Sequence, residues 1–112
     1  RIAEGVGQAY GMAVTADLRR GAAITANHEA EGALAFAAAL AIGHPARRDL
    51  APSMAGEDFG WYLQKVPGAF VWIGNGPGGA GRELHDPQYD FNDAVLPVAA
   101  RWLAEAARRA LV

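Results

Sequence analysis

The apolar run at residues 69–73, which opens at once into a glycine-rich segment, is the feature that most constrains how this chain folds. The segment that follows, residues 74–81, holds five glycines and one proline. Five successive apolar residues without polar alternation are typical of a short strand covered on both faces. In open α/β sheets, ligands bind at the loops that follow such strands. The pattern therefore predicts a buried strand that ends in a ligand-binding loop.

Helical and strand-like patterns fill most of the remaining chain. Helical spacing or composition predicts helices at residues 1–10, 28–42, 57–66 and 93–111. Alternating apolar and polar side chains predict a strand at residues 12–20, and a short strand is predicted at 47–50. Asn27 is a suitable N-cap for the second helix. Pro97 falls in the first turns of the last helix, where proline is tolerated.

Residues 21–27 form a polar connector rich in small residues. We interpret it as a linker between two structural units, residues 1–20 and residues 21–112. In the first unit a helix leads through Gly11 into an amphipathic strand, which suits a small α+β layer.

Composition excludes several classes of function. The formal net charge is −2 and the basic residues are scattered, so the sequence gives no electrostatic reason to expect nucleic acid or a membrane as partner. The apolar stretch at residues 33–42 is shorter than a membrane span. The chain contains no cysteine, which is compatible with the cytoplasmic location that we predict. Because Arg1 opens the chain within a helical pattern, we expect a longer parent protein.

Of the three histidines, His85 is the candidate metal ligand. His28 and His44 are predicted to be surface residues. His85 follows the glycine-rich loop and lies near three carboxylates that are able to orient an imidazole, namely Asp86, Asp90 and Asp93. Asp93 and its neighbour Asn92 are equally good helix caps. A catalytic zinc needs about three protein ligands, so we expect the other ligands outside this chain.

Two further features have open or structural interpretations. The Gly74-Asn75-Gly76 turn either offers backbone N–H groups to a substrate carboxylate or is a plain flexible loop. Glu57 and Asp58 are better explained as acidic residues at a helix start than as metal ligands.

Three motifs, in order along the chain, resemble the C-terminal part of the aminoacylase/carboxypeptidase metallopeptidase family. They are Met-Ala-Gly-Glu-Asp-Phe at 54–59, Pro-Gly-Ala-Phe-Val-Trp-Ile-Gly at 67–74 and Leu-His-Asp-Pro-Gln-Tyr-Asp-Phe-Asn-Asp at 84–93. The subgroup they resemble comprises hippurate hydrolases, N-acyl-amino-acid amidohydrolases and auxin-conjugate hydrolases. The resemblance implies an α/β metal-binding catalytic domain that is interrupted by a ferredoxin-like lid or dimerisation domain.

The resemblance also implies roles for parts of this chain. Residues 1–20 would be the last helix and strand of the lid, and residues 21–112 the C-terminal part of the catalytic domain. His85 would be a metal ligand, and no residue here would be the catalytic base. The substrate-binding residues that we predict, Gly74, Asn75 and Gly76, rest on the glycine-lined turn itself and not on the resemblance. The metal would be divalent, either zinc or manganese, cobalt or nickel, with most of its ligands outside this chain.

The function that the resemblance implies is hydrolysis of the amide bond of N-acyl amino acids, with hippurate-like substrates. The alternatives are a peptidase of the same family and a non-catalytic α+β dimerisation or binding module. We expect a homo-oligomer, and strand exchange between copies of the segment, because a strand at 69–73 would otherwise leave an open edge.

Overall fold

All the regular elements in the described part of the chain are helices. The structure is a computed structural model, and it describes residues 1–19, 21–76 and 84–111. The helices are α1 at Ile2–Ala9, α2 at Glu29–Ala41, α3 at Phe59–Leu63 and α4 at Leu96–Ala110, and a single 3-10 turn, Asp93–Val95, directly precedes α4. These correspond to the four predicted helices, although α3 is shorter than the predicted segment 57–66.

Local sequence determines where the helices begin and end. The chain leaves α1 through Gly11 and α2 through Gly43, which have φ values of 66° and 78°. Glycine populates this left-handed region without the steric cost of a Cβ. At the other end of the chain, the Asn92 side chain accepts a hydrogen bond from the Ala94 N–H at 3.2 Å and caps the 3-10 turn. Pro97 occupies the first turn of α4, as predicted.

The helices α2 and α4 pack against each other and carry part of the small core. Ala35 and Ala38 of α2 are buried, and their small side chains let α4 approach closely. The Trp102 indole N–H of α4 donates to the Ala35 carbonyl at 3.0 Å. This bond joins residues that lie 67 positions apart and uses a carbonyl inside α2 as its acceptor.

Aromatic side chains connect α3 to the apolar run at 69–73. The Phe59 ring stacks on Tyr62 at 5.9 Å and lies 5.7 Å from Phe70, which in turn meets the edge of Trp72 at 5.4 Å. Such pairs stabilise beyond the area they bury. Phe70 and Trp72 contact each other two residues apart, as side chains on one face of an extended backbone do. The predicted extended conformation is therefore present at this position.

The predicted strands, however, are not seen in the described residues. Residues 12–19, 47–50 and 69–73 belong to no strand, and no sheet is found within the described ranges. A strand needs a neighbouring backbone that exchanges N–H···O=C bonds with it. At Phe70 the partner is a side-chain amide, that of Asn27, and a single side chain cannot continue a ladder. The α/β fold class is thus not seen in this part of the chain.

Neither α1 nor α3 packs on another described helix. Helix α3 is joined to the apolar run through Phe59 and Phe70, whereas the close neighbour of α1 is the segment at 12–14, which follows it directly. The radius of gyration is 20.2 Å, whereas a compact domain of this length has about 13 Å. The molecule is therefore not organised around one core. None of the described helices combines the length and the apolar character needed to cross a bilayer.

Candidate functional site

His85 lies at the start of a tightly turned segment that leads into α4. Its φ is 72°, which makes it the non-glycine residue with positive φ among those described. Its side chain is exposed, and no hydrogen bond joins its ring to another described residue. Positive φ is uncommon for a residue with a Cβ, and such conformations cluster at functional sites. The imidazole is thus presented to solvent from a strained backbone position.

Asp86 shapes the turn that follows His85. Its carboxylate oxygen Oδ1 accepts from the Gln88 N–H at 2.7 Å, and its carbonyl accepts from the Tyr89 N–H at 3.0 Å. The first bond is that of an Asx-turn, and the second, from the residue 89 N–H to the residue 86 carbonyl, closes a β-turn. The prediction that nearby carboxylates orient the imidazole is not met within the described residues, because neither Asp86 nor Asp90 nor Asp93 is hydrogen-bonded to the His85 ring.

Asn75 joins the end of the apolar run to the segment that carries His85. Its side-chain Nδ2 donates to the Asp90 carbonyl at 3.1 Å, and its Oδ1 accepts from the Asn92 N–H at 2.8 Å. The amide thus pairs with the backbone of residues 90–92 as a neighbouring strand would. Asn75 is half-buried. The sequence predicted either a substrate-binding turn or a plain flexible loop at this residue, and it did not predict this contact.

Gly76 has a structural reason to be glycine. Its φ is 108°, and a Cβ at this position would lie 3.2 Å from the Asn92 side-chain nitrogen. The turn at residues 74–76 therefore lies directly against the segment that leads from His85 into α4.

Asn27 and His28 hold the other end of the apolar run. The Asn27 side chain donates to the Phe70 carbonyl at 2.9 Å and accepts from the Phe70 N–H at 2.7 Å. The His28 N–H donates to the Gly68 carbonyl at 3.1 Å, and its ring Nδ1 accepts from the Gly68 N–H at 3.2 Å. His28 is exposed, as predicted, but Asn27 does not cap α2. The residue at the N-cap position is His28, because α2 begins one residue later than predicted.

Glu57 acts at the start of α3 and not at the site. Its Oε1 accepts from the Phe59 N–H at 2.8 Å, and this bond, followed by one with Asp58, lowers the pKa of the Glu57 carboxyl. Glu57 lies one residue before the N-cap residue Asp58, and its side chain satisfies the first free N–H group of the helix. The structural interpretation of the two acidic residues therefore agrees with the geometry at Glu57.

A groove of about 680 Å³ lies beside the Gly74–Gly76 turn. Its wall is formed largely by residues 42–50, by the apolar run at 69–73 and by residues 94–102. Gly74, Gly76 and Asn92 also line it. His85 is not among its lining residues, so the structure brings the two glycines of the turn and Asn92 to one groove and leaves His85 outside it.

The described residues provide one imidazole for a metal and not a complete site. Within residues 1–19, 21–76 and 84–111, no three His, Asp or Glu side chains come together as metal ligands. His85 fits the role of a single ligand, because its ring is exposed and makes no hydrogen bond to a described residue. A metal held here would take its other ligands from elsewhere.

Comparison with curated proteins finds relatives that are much longer than this chain. It is 35% identical over 102 residues to the N-acetyldiaminopimelate deacetylase of Streptococcus thermophilus (strain ATCC BAA-491 / LMD-9), a match that covers 88% of this chain and 26% of the relative. It is 33% identical over 109 residues to the putative amidohydrolase YhaA of Bacillus subtilis (strain 168), with 95% and 28% covered. An N-acetylcysteine deacetylase of B. subtilis is 43% identical over 56 residues, which cover 49% of this chain and 14% of that relative.

The chain therefore spans about a quarter of the length of the first two of these relatives. No solved structure matches it significantly. The model of one protein family matches residues 3–109, which is nearly the whole chain. That match confirms the resemblance drawn from the three motifs, and the relatives' names agree with its amidohydrolase subgroup. The chain belongs to peptidase family M20/M25/M40.

Proposed function

We propose that this chain is part of a metal-dependent amidohydrolase that cleaves the amide bond of N-acyl amino acids. Membership of peptidase family M20/M25/M40 supports the hydrolase class. The names of the relatives, two of which are deacetylases and one an amidohydrolase, support an amide substrate that carries an acyl group. Hippurate-like compounds are the substrates that we propose within this class.

The observation that carries the proposal is the backbone conformation at His85. A histidine held at a φ of 72° has a steric cost that a glycine in the same conformation does not have. A turn that needed only its shape would favour glycine, so the imidazole itself accounts for the residue. We assign His85 the role of one metal ligand and assign no residue of this chain the role of catalytic base.

The metal is divalent, and we propose zinc, with manganese, cobalt or nickel as the alternatives. When bound, such an ion activates water and polarises a carbonyl. The task of this chain is to hold the His85 imidazole at a fixed place relative to the substrate. The backbone N–H groups of Gly74, Asn75 and Gly76 bind the substrate carboxylate, as glycine-lined turns do. The proximity of this turn to the His85-bearing segment supports that assignment.

The two predicted units keep their roles in the proposal. Residues 1–20 are the end of a lid or dimerisation domain, and residues 21–112 are the C-terminal part of the catalytic domain. The contacts that the structure describes for residues 1–19 lie within that segment, which supports a boundary between these units. In the complete protein, the segment at 12–19 would find strand partners within the lid, and the segment at 69–73 would find them within the α/β catalytic domain. The location is cytoplasmic and the enzyme a homo-oligomer.

The test is His85→Ala in the complete enzyme, with His44→Ala as the matched control. Both histidines are exposed, but His44 has no role in the proposed metal site. We expect His85→Ala to lose metal and activity sharply and His44→Ala to keep its metal content. Metal is measured by elemental analysis after dialysis, and activity by release of the free amino acid. Full metal content and rate in His85→Ala would refute the role of His85.

A peptidase of the same family is the second candidate, and the family's own description favours it. A panel of N-acyl amino acids and dipeptides, tested on the complete enzyme, separates the two. The amidohydrolase proposal predicts a higher kcat/KM for the N-acyl amino acids, and a preference for dipeptides would replace it. The 112-residue chain alone is expected to be inactive, because a single ligand does not retain a catalytic metal.

A further inference from the structure

We propose that Asn75 is a positioning residue whose side-chain amide fixes the segment that carries His85. The inference rests on the proposed function, since it concerns the placement of the His85 imidazole toward a metal. It assigns to the Asn75 side chain a task different from the substrate contact proposed for the backbone of residues 74–76.

The Asn75 amide is bound on both its oxygen and its nitrogen. The side-chain oxygen accepts a hydrogen bond from the Asn92 N–H, and the side-chain nitrogen donates one to the Asp90 carbonyl. A side-chain amide that binds a backbone N–H and a backbone C=O at once holds that backbone in both position and direction. The two bonds join residues 15 and 17 positions apart in sequence. They therefore close a loop, and His85 lies in it.

Further hydrogen bonds order the backbone between His85 and the residues that the Asn75 side chain binds. The Asp86 turn ties residues 86–89 together through two hydrogen bonds of 2.7 and 3.0 Å. Residues 90–92, which follow directly, are those that Asn75 holds. The Asn92 side chain then caps the turn before α4. Hydrogen bonds thus hold the backbone at several points between His85 and α4, and those of Asn75 connect it to the end of the apolar run.

Asn27 offers a control with the same chemistry. It too uses its side-chain oxygen and nitrogen to bind a backbone N–H and C=O, in this case both of Phe70, at 2.7 and 2.9 Å. It holds the opposite end of the same apolar run and touches nothing between His85 and α4. Asn27→Ala therefore removes equivalent hydrogen bonds without releasing the segment that carries His85.

The experiment measures Zn²⁺ affinity by competition with a chromophoric chelator in the complete enzyme and in its Asn75→Ala and Asn27→Ala variants. We expect Asn75→Ala to bind Zn²⁺ roughly tenfold more weakly, the low end of what is lost when a group that orients a metal ligand is removed. Asn27→Ala should bind Zn²⁺ as the unmodified enzyme does. Asn75→Asp keeps the acceptor for the Asn92 N–H and loses the donor, so its affinity should fall between those of the unmodified enzyme and Asn75→Ala. It also serves if Asn75→Ala does not fold.

Hydrogen exchange supplies the second measurement. Peptides that cover residues 84–92 should lose protection in Asn75→Ala and keep it in Asn27→Ala. Unchanged Zn²⁺ affinity in both Asn75 variants, or unchanged protection of residues 84–92 in Asn75→Ala, would overturn the positioning role.

The outcome is distinguishable from a failure of the proposed function. If His85→Ala keeps its metal, the metal-ligand assignment itself is wrong. If His85→Ala loses its metal while Asn75→Ala and Asn75→Asp keep theirs, only the positioning role of Asn75 is wrong.

Discussion

Residues 1–19 and residues 27–111 are held together in opposite ways. In the first region, the contacts that order the chain lie close in sequence: the Met12 N–H donates to the Gly7 carbonyl at 2.8 Å, and Gly7 packs on Val14. In the second, Asn27 reaches Phe70 and Trp102 reaches Ala35 across 43 and 67 residues. Local contacts order a helix and its following turn, whereas distant contacts are needed to position a loop such as the one that carries His85.

Exposure shows the same contrast. Ile2 and Leu18 of the first region are 86% and 90% exposed, and the buried residue there is Gly7. The second region buries alanines of α2 together with Leu63 of α3. The first region therefore has little apolar burial to oppose unfolding, and we expect the two regions to respond independently to substitution.

Trp102→Ala should have the largest effect on stability, and only in the second region. It removes the bond to the Ala35 carbonyl and a large half-buried ring between α2 and α4. The expected loss is about 3 kcal/mol, the low end of the range for removing a core tryptophan. Urea unfolding followed by circular dichroism measures it. Leu103→Ala, which alters a neighbouring side chain of α4 that is 60% exposed, is the control and should change stability by less than about 0.5 kcal/mol. Equal losses in both variants would mean that α4 does not pack as described.

Gly7→Ala should loosen the first region and leave the second unchanged. An added Cβ would lie 2.5 Å from Val14 Cγ2 and 2.9 Å from the Met12 carbonyl oxygen. Overpacking of this kind costs about 2 kcal/mol. Hydrogen exchange should show lost protection at residues 10–19 alone.

Gly5→Ala provides the control for that experiment, because nothing lies within 4 Å of a Cβ built at Gly5. Alanine is the better helix former, so this variant should gain about 0.5–1 kcal/mol in α1. If Gly7→Ala also reduced protection in α2 or α4, the two regions would not be independent.

These contrasts explain how much of the molecule could be predicted. All four helices were predicted from periodicity or composition, because the sequence signals of a helix lie within its own segment. The strand at 69–73 was not found in the structure, because a strand depends on a partner that sequence spacing does not reveal. His85 was chosen as the candidate metal ligand from its place after the glycine-rich loop and from the motif around it, and that role stays a prediction. The pairing of Asn75 with residues 90–92 was not predicted, since an asparagine after an apolar run predicts a turn as readily as a clamp. Asn27 and Asn75 share one feature: the side-chain amide of each lies beside the apolar run at 69–73, which has no strand partner among the described residues.

The two regions also differ in how they turn through positive φ, since the first uses Gly11 at 66° and the second uses His85 at 72°. His85→Gly should therefore be more stable than His85→Ala by about 1 kcal/mol, because only alanine keeps the steric cost of a Cβ in this conformation. Gly11→Ala should lose a similar amount, as nothing lies within 4 Å of its added Cβ. Thermal unfolding of the three variants measures both differences. Equal stability of His85→Gly and His85→Ala would argue that the turn at His85 is not strained.

The smallest expected difference between the two regions concerns their ion pairs, and it depends on pH. In α1, Glu4 pairs only with the chain's own amino terminus, at 3.3 Å, and both groups are exposed, so Glu4→Gln should change little. In α4, the hydrogen bond from Arg108, with help from Arg109, lowers the pKa of Glu105 from 4.5 to about 2 against the opposing effect of desolvation. The Glu105 carboxylate is 17% exposed and lies 2.7 Å from each of the two guanidinium groups.

The sign of the pH dependence follows from that lowered pKa. The folded state binds a proton on Glu105 less readily than the unfolded state does, so the pair contributes its full stability above pH 4.5 and loses it as the pH falls toward 2. Glu105→Gln should remove this part of the acid sensitivity and leave the rest. Carboxyl chemical shifts recorded between pH 7 and pH 1.5 measure the titration directly. A Glu105 that titrates near 4.5 would show that its two arginine partners are solvated, and the charge pairs of α4 would then be no stronger than the one at the start of α1.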